Sequence, residues 1–226
     1  MALAVEKIKT PTSLAEMAYT AIKESILRTN VYEMPDDGRL DERRLATSLG
    51  ISRTPLRDAI NRLVAEGFLR SVPRKGVYVV RHSKAELIEV LWVRAALESM
   101  GARLAALRAT EEEITRMRAL FAPFDPEDLA RHMREYSEAN VRFHEMVLRA
   151  SRCGKLIEMA NNVFEHIQMI RLRTITFVGR PRKSYREHTA LIDALERRDA
   201  DGAERVMRQH IEDLVRHVEE NVESLP

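Results

Sequence analysis

Residues 40–80 read LDERRLATSLGISRTPLRDAINRLVAEGFLRSVPRKGVYVV, and this stretch decides the fold expected for the N-terminal part of the chain. A short helix over 41–49 is predicted to end at Gly50, because glycine accepts the left-handed backbone of a tight helix–helix turn. A second helix follows at once. The Ser52 hydroxyl is expected to cap it, and Pro55 lies in its first turn, where a missing N–H costs little.

This second helix has an apolar side and a polar N-terminal end. Its apolar residues recur at spacings of three and four and should pack inward; they are Leu56, Ala59, Ile60, Leu63 and Val64. The exposed end keeps two hydroxyl residues and two arginines: Ser52, Arg53, Thr54 and Arg57. Recognition helices place such residues in the major groove of DNA, where arginine can form two hydrogen bonds with guanine.

Two short strands are predicted next, over 68–72 and 77–80. They flank the sequence Pro73-Arg74-Lys75-Gly76 and should form a hairpin with a basic tip, called a wing. Residues 1–82 hold 14 Lys and Arg against 10 Asp and Glu, whereas the remainder holds 23 against 25. The positive excess therefore accompanies this motif, as suits a partner that is a polyanion.

The string LATSLGISRTPLRDAINRLVAEGFL followed by RKGVYVV closely resembles the winged helix-turn-helix of the GntR family of bacterial transcription regulators. The resemblance implies that seven residues contact DNA: Arg43, Ser52, Arg53, Thr54, Arg57, Lys75 and Gly76. Arg53 and Arg57 are the candidates for reading bases. Arg43 and Lys75 are the candidates for neutralising phosphates.

Length and composition agree with two domains in a cytoplasmic protein. A chain of 226 residues can bury two modest cores, and its one cysteine, Cys153, cannot form an internal disulfide framework. The first residues lack the apolar run of a signal peptide, and no stretch approaches a membrane span. We expect a location in the bacterial cytosol or nucleoid and no membrane partner.

The rest of the chain looks helical. Residues 1 to about 12 are expected to be a loose arm, and Ser13 should begin a helix that ends near Arg28. Ser83 should cap a helix that runs to about Arg108, and Thr110 with Glu113 should form a capping box for the next one. Four further helices are expected, over 126–150, 155–176, 181–198 and 200–223.

We therefore predict a mainly α protein. A winged helix-turn-helix domain would occupy 1–82, and an antiparallel bundle of about six helices would occupy 83–226. The bundle resembles the all-helical ligand domain of the FadR branch of the GntR family, the FCD domain. Its marks are Leu91-Trp92-Val93-Arg94 through Leu97-Glu98, then Asn140-Val141-Arg142-Phe143-His144, then Glu187-His188 through Asp193-Ala194-Leu195, and His210-Ile211. The resemblance implies a homodimer on an operator of double-stranded DNA and a small-molecule effector in the bundle.

Asn140 and His144 are four residues apart, so both project from one face of a helix. If the last helical turn centres near Ala200, His188 and His210 lie at similar heights on antiparallel helices. In the family, an Asp-x-x-x-His pair and two later histidines bind a divalent metal, and Asn140 replaces the aspartate here. Two outcomes are open: a zinc-like ion on three imidazoles, completed by water or effector oxygens, or a metal-free pocket in which the imidazoles bind an anion.

An effector that completes a metal shell is most easily a carboxylate, and Arg94 is the candidate to bind its other end, with Arg171 and Arg173 as further candidates. The leading hypothesis is a metabolite-responsive transcription factor that is not an enzyme. One alternative is a metal-dependent hydrolase that uses the three histidines, for which the sequence offers no evident general base. The other alternative is a constitutive DNA-binding scaffold whose bundle serves only dimerisation.

Overall fold

The structure of the protein, a computed structural model, describes residues 13–174 and 180–221; the side chains of residues 130 and 168–174 are not part of the description. The arm expected over 1–12 lies outside the described residues. So do the predicted helix ends at 175–176 and 222–223. The chain forms two compact units, Met1–Arg81 and His82–Pro226. The expected boundary was one residue further along.

The first unit contains three α-helices, two short 3-10 helices (Val31–Glu33 and Asp36–Gly38) and one hairpin among the residues described: α1 (Leu14–Arg28), α2 (Glu42–Leu49), α3 (Arg53–Ala65), β1 (Leu69–Val72) and β2 (Gly76–Val79). Side chains cap the first two helices, since Ser13 accepts a hydrogen bond from the Glu16 amide at 3.1 Å and Asp41 accepts one from the Arg44 amide at 2.9 Å. As predicted, Gly50 ends α2 in the left-handed conformation, with φ 64°.

The capping role predicted for Ser52 is wrong. Ser52 is the N-cap residue of α3, but its side chain makes no capping hydrogen bond. In α1 the capping serine accepts from the amide three residues later. The corresponding residue in α3 is Pro55, which has no N–H to donate. The proline that helps to begin this helix thus removes the donor, and the Ser52 side chain is left exposed to solvent.

Four inward residues of α3 are buried as predicted, whereas Val64 is only half-buried. They pack in one core with α1, with the segment before α2 and with the hairpin; the most buried members include Ile22, Val31, Leu56, Leu63, Phe68 and Leu69. The strands pair antiparallel with Leu69 opposite Val79 and Val72 opposite Gly76. Gly76 therefore belongs to β2, and the tip of the wing is formed by Pro73, Arg74 and Lys75.

The second unit contains six helices among its described residues: α4 (Lys84–Arg108), α5 (Glu111–Ala119), α6 (Met133–Ala150), α7 (Gly154–Thr174), α8 (Arg180–Glu196) and α9 (Ala200–Asn221). The capping boxes of Ser83 with Glu86 and of Thr110 with Glu113 are both formed. Helix α4 packs against α6, α7, α8 and α9. Its inner face is rich in small residues, and Ala102, Ala105 and Ala106 are fully buried, so neighbouring helices can approach it closely.

Helix α6 begins seven residues later than predicted. Asp125 starts a turn: its carbonyl accepts from the Asp128 amide at 3.0 Å, and its side chain accepts from the Glu127 amide at 2.9 Å. A short 3-10 helix, Leu129–His132, then leads into α6. Pro126, which suggested a helix start, instead lies in this turn. No helix in the described part of the chain has the length and apolar character needed to cross a bilayer.

Candidate functional site

The side chains proposed to contact DNA lie at the N-terminal end of α3, on α2 and at the wing. Six of the seven residues are exposed: Arg43, Ser52, Arg53, Thr54, Arg57 and Lys75. The four cations among them, Arg43, Arg53, Arg57 and Lys75, form no ion pair with any residue that the structure describes. Their charge is therefore available to an external anion. We call the six exposed residues, together with Gly76, the recognition surface.

Other arginines of this unit are already engaged. Arg62 donates to Glu16 at 2.6 Å and to Glu66 at 3.1 Å, and its guanidinium lies 3.6 Å from the centre of the Tyr19 ring. Arg81 donates to the carbonyls of Val31 and Met34. These contacts stabilise the core of the unit, so the structure separates arginines that hold the fold together from those that face solvent without a partner.

Arg39 lies beside the wing and is a cation that the sequence did not indicate. Arg39 pairs with Tyr78 across the edge of β2, and the Leu40 amide donates to the Val77 carbonyl at 2.8 Å. At Gly76, where φ is 118°, an added Cβ would lie 3.2 Å from Nε of Arg39. The absence of a side chain at Gly76 thus makes room for Arg39. A contact between segments 37 residues apart leaves no local pattern in the sequence.

The three predicted histidines meet inside the bundle and define what we call the histidine chamber. His144 on α6, His188 on α8 and His210 on α9 are 1%, 1% and 5% exposed. One ring nitrogen from each lies within 4.8 Å of the others. Asn140, one turn before His144, is half-buried, and its Oδ1 has no hydrogen-bond partner among the described residues; neither has the buried Nε2 of His188.

Two carboxylates accept hydrogen bonds from His144 and His210 and thereby fix the orientation of these two rings. Nδ1 of His144 donates to Glu98 on α4, and Nδ1 of His210 donates to Glu187 on α8 at 2.6 Å. Each carboxylate is paired with an arginine: Glu98 with Arg94, and Glu187 with Arg180 at 3.2 Å. When Nδ1 carries the proton, Nε2 carries the lone pair, which is the arrangement typical of metal-binding histidines.

The electrostatics of the chamber favour the neutral form of His188 and of His210. Burial holds the pKa of His188 and of His210 well below the usual value, and neighbouring His144, Arg94 and Arg180 act in the same direction. Burial alone would raise the pKa of Glu98, but Arg94 and His144 outweigh it and lower that pKa to about 2. Burial raises the pKa of Glu187 to about 7 in spite of Arg180. Neutral imidazole is the form that binds a metal.

An arginine on a helix is ordinarily exposed to solvent, but Arg94 is not. Its side chain is buried, donates from Nε to Glu98 and lies with its guanidinium 5.1 Å from the centre of the Phe164 ring. Arg180, which sequence reasoning did not select, is a second cation near the chamber and donates to the carbonyl of His210 at 2.8 Å. The side chains of Arg171 and Arg173 lie outside the described residues.

His166, which lies on α7, is not part of the chamber. It is buried, and its Nδ1 lies 3.2 Å from Nε2 of His82. The chamber offers three imidazole nitrogens, and the unpartnered Oδ1 of Asn140 lies one helical turn before His144. Zinc and similar ions accept this mixture of nitrogen and oxygen donors, so the residues present fit a divalent cation.

Comparison with known proteins agrees with both units. Residues 14–79 match the family described as bacterial regulatory proteins, gntR family, and residues 89–213 match the FCD domain. The Nta operon transcriptional regulator of Aminobacter aminovorans is 32% identical over 183 residues, which is 80% of this chain and 84% of that protein. The HTH-type transcriptional repressor RspR of Escherichia coli is 25% identical over 175 residues, 77% of each chain.

Among solved structures, Escherichia coli McbR/YncC superposes with a TM-score of 0.70, covering 93% of this chain and 99% of that one, at 21% sequence identity, which supports the fold. The matched families and the curated relatives are transcriptional regulators rather than enzymes. Because the FCD match spans more than half of the chain and the GntR match spans the winged unit, the protein belongs to the GntR family of DNA-binding transcriptional regulators, in the group that carries an FCD domain.

Proposed function

We propose that this regulator is a homodimer whose affinity for a near-palindromic operator changes when a small carboxylate binds in the histidine chamber through a divalent metal. The observation that carries the proposal is the pair of buried polar atoms without a partner, Oδ1 of Asn140 and Nε2 of His188, beside two further histidines. Buried polar groups are normally hydrogen-bonded or bound to an ion. A ligand in the chamber would satisfy both atoms.

For the recognition surface, we propose that Arg53 and Arg57 read base edges while Arg43 and Lys75 bind phosphates, assisted by Ser52, Thr54 and the backbone at Gly76. Exposure and the absence of ion-pair partners among the described residues support these roles. Arginine reads guanine through two parallel hydrogen bonds, and phosphate contacts make affinity depend on salt.

For the chamber, we propose that His144, His188, His210 and Asn140 hold a zinc-like ion. Such an ion, when bound, supplies positive charge and open positions for carboxylate oxygens. The residues fix the position of the effector, exclude water by their burial, and offer Arg94 for the far end of the ligand. Binding can bias the dimer between DNA-competent and incompetent arrangements only by a difference in affinity for the two.

For the dimer, support comes from an exposed apolar stripe on α4. Val93, Met100 and Leu107 are seven residues apart and therefore share one face of the helix, and they are 50%, 43% and 60% exposed. Trp92 lies beside them and is 48% exposed. We call these four residues the α4 stripe. An apolar stripe with heptad spacing is a surface that a second copy of the chain can cover.

A gel shift on the DNA upstream of the protein's own gene tests the regulatory proposal. We expect binding that weakens steeply as NaCl rises, and a further change in affinity when zinc and one member of a carboxylate panel are added together. A DNA affinity that does not change with any metal or carboxylate tested would favour the constitutive DNA-binding scaffold.

Elemental analysis of the purified protein tests the metal site separately. We expect one zinc-like ion for each chain, and loss of that ion in the His188→Ala, His210→Ala double variant. The matched control is His132→Ala, because His132 is exposed and lies outside the chamber. Stoichiometric zinc that survives in the double variant would contradict the proposed ligands.

A further inference from the structure

The donor atoms that line the histidine chamber carry no negative charge. They are the imidazole nitrogens of His144, His188 and His210, joined in the proposed site by the buried, unpartnered amide oxygen of Asn140, one turn before His144. A neutral amide is a weaker ligand than a carboxylate, and it does not offset any of the charge of a cation. A divalent ion held by these four groups would keep its full double charge in a buried place.

The nearby carboxylates do not change this balance, because each is already paired. Glu98 accepts from His144 and forms an ion pair with Arg94, and Glu187 accepts from His210 and forms an ion pair with Arg180. The two arginines cancel the two carboxylates. Arg94 and Arg180 also act as positive charges on His188. Among the described residues, these two pairs sum to no net charge, so they give an added cation no counter-charge.

An unpaired charge is costly to bury, and the cost falls when an opposite charge is buried with it. We infer that the chamber takes up a divalent cation and a carboxylate as a pair, with Asn140 as the residue that makes the binding of each depend on the other. This inference rests on the proposed metal site and goes beyond it. The regulator would then respond to metal and metabolite jointly, with neither ligand sufficient alone.

The coupling between metal binding and carboxylate binding can be measured from either ligand, because it changes both affinities by the same factor. If the carboxylate strengthens metal binding by some factor, the metal strengthens carboxylate binding by the same factor, and such couplings usually amount to about 5- to 150-fold. A carboxylate supplied by the protein at position 140 would take over the role of the external anion. Asn140→Asp should therefore bind metal more tightly alone and lose most of the dependence on added carboxylate.

The test is a calorimetric titration of full-length protein with zinc after chelator treatment and dialysis. The background salt is sodium nitrate, replaced in parallel by sodium acetate at equal ionic strength or supplemented with acetamide, the neutral isostere of acetate. In the unmodified protein we expect acetate to tighten zinc binding by at least about tenfold and acetamide to have no effect. Weak binding of acetate to zinc in solution works against this result, so it cannot produce it.

In Asn140→Asp we expect zinc to bind at least about tenfold more tightly in nitrate, and acetate to add less than about threefold. Asn161→Asp is the matched control, since Asn161 is exposed on α7 and the change adds the same charge outside the chamber. It should behave like the unmodified protein. If Asn140→Asp does not fold, the comparison of acetate with acetamide in the unmodified protein decides alone.

Zinc binding that needs His188 but is equally tight in nitrate, acetate and acetamide would overturn the inference while leaving the proposed metal site intact. So would an Asn140→Asp protein that keeps the full acetate effect. Failure of the proposed metal site looks different: no zinc binds under any of the three conditions, or zinc binds undiminished to the His188→Ala, His210→Ala protein.

Discussion

Arg53, at the first position of α3, is exposed and has no ion-pair partner among the described residues. If Arg53 hydrogen-bonds a base edge, Arg53→Ala removes a pair of hydrogen bonds worth about 1–3 kcal/mol, a loss of roughly 5- to 150-fold in operator affinity. A gel shift at fixed salt measures this. The melting temperature should not change, because the side chain is exposed and forms no ion pair with the described residues.

Arg44→Ala is the matched control for that measurement. Arg44 is an exposed arginine of the same unit, and it lies on α2 outside the recognition surface. We expect its removal to weaken binding far less than removal of Arg53. Equal effects of the two substitutions would mean that only total charge matters, and unchanged binding in Arg53→Ala would contradict the assignment of α3 as the reading helix.

Glu98 is the buried residue on which the chamber depends for its stability. Glu98→Gln leaves Arg94 buried without a counter-charge, which should lower the free energy of unfolding by about 3–5 kcal/mol. Urea unfolding, followed by the fluorescence of the single tryptophan, Trp92, measures this in the second unit. Glu89→Gln, an exposed change on the same helix, should lie within about 0.5 kcal/mol of the unmodified protein.

The difference in free energy of unfolding between the unmodified protein and Glu98→Gln should fall as pH is lowered. The pKa of Glu98 is lowered to about 2 in the folded state from an ordinary value of 4.5. The stabilisation is therefore complete above pH 4.5 and is lost as pH falls towards 2, and a shift of this size corresponds to about 3 kcal/mol. The gap between the unmodified protein and Glu98→Gln should shrink over this window. A gap that is constant from pH 5 to pH 3 would contradict the charged state of Glu98.

The three histidines could be predicted because the family resemblance grouped them, while helical spacing related Asn140 to His144 and the last pair of helices placed His188 and His210 at similar heights. Glu98, Arg180 and Arg39 could not be selected in the same way. Glu98 lies 46 residues from His144, and it reaches the chamber only because α4 packs against α6. Contacts of this kind depend on tertiary packing, which leaves no periodic pattern in a single sequence.

At the scale of the element, Ser83 and Ser52 both occupy N-cap positions, but they should contribute differently to the free energy of unfolding. Ser83 accepts from the Glu86 amide at 3.3 Å and completes a capping box on α4, whereas Ser52 makes no capping hydrogen bond on α3. Ser83→Ala should lower the free energy of unfolding by about 1 kcal/mol. Ser52→Ala should leave it nearly unchanged and should weaken operator binding if the free hydroxyl contacts DNA.

Circular dichroism during thermal unfolding compares the two variants, and each serves as the control for the other. A stability loss in Ser52→Ala that equals the loss in Ser83→Ala would mean that Ser52 caps α3 in solution.

The helices and the wing were predictable as elements because caps, glycine and apolar spacing agree along the chain. The ends of these elements were less predictable where a proline fits either a turn or the first turn of a helix. Pro55 indicates the first turn of α3 but removes the donor that Ser52 would need, and Pro126 suggests a helix start but lies in the turn made by Asp125. Proline restricts the backbone in turns and in first turns alike, so the sequence alone does not distinguish them.

At the scale of the whole molecule, the α4 stripe connects the fold to the proposed dimer. Four large apolar side chains lie exposed on the helix that forms the centre of the second unit. Within the chain, α4 already packs on four other helices through its opposite faces. A near-palindromic operator needs two recognition surfaces related by symmetry, and an interface made of the same stripe on both copies supplies that symmetry.

Met100→Glu tests this arrangement. A glutamate in the middle of the stripe would have to be buried without a partner if two copies paired there, so we expect dissociation into chains of 26.0 kDa, measured by light scattering coupled to size-exclusion chromatography. Operator affinity should fall in parallel, because one chain binds one half-site. The matched control is Met17→Glu, which places the same charge at another exposed methionine, on α1, and should leave the mass unchanged. A Met100→Glu protein with the mass and operator affinity of the unmodified dimer would show that the copies meet through another surface, and a monomeric unmodified protein would contradict the dimer itself.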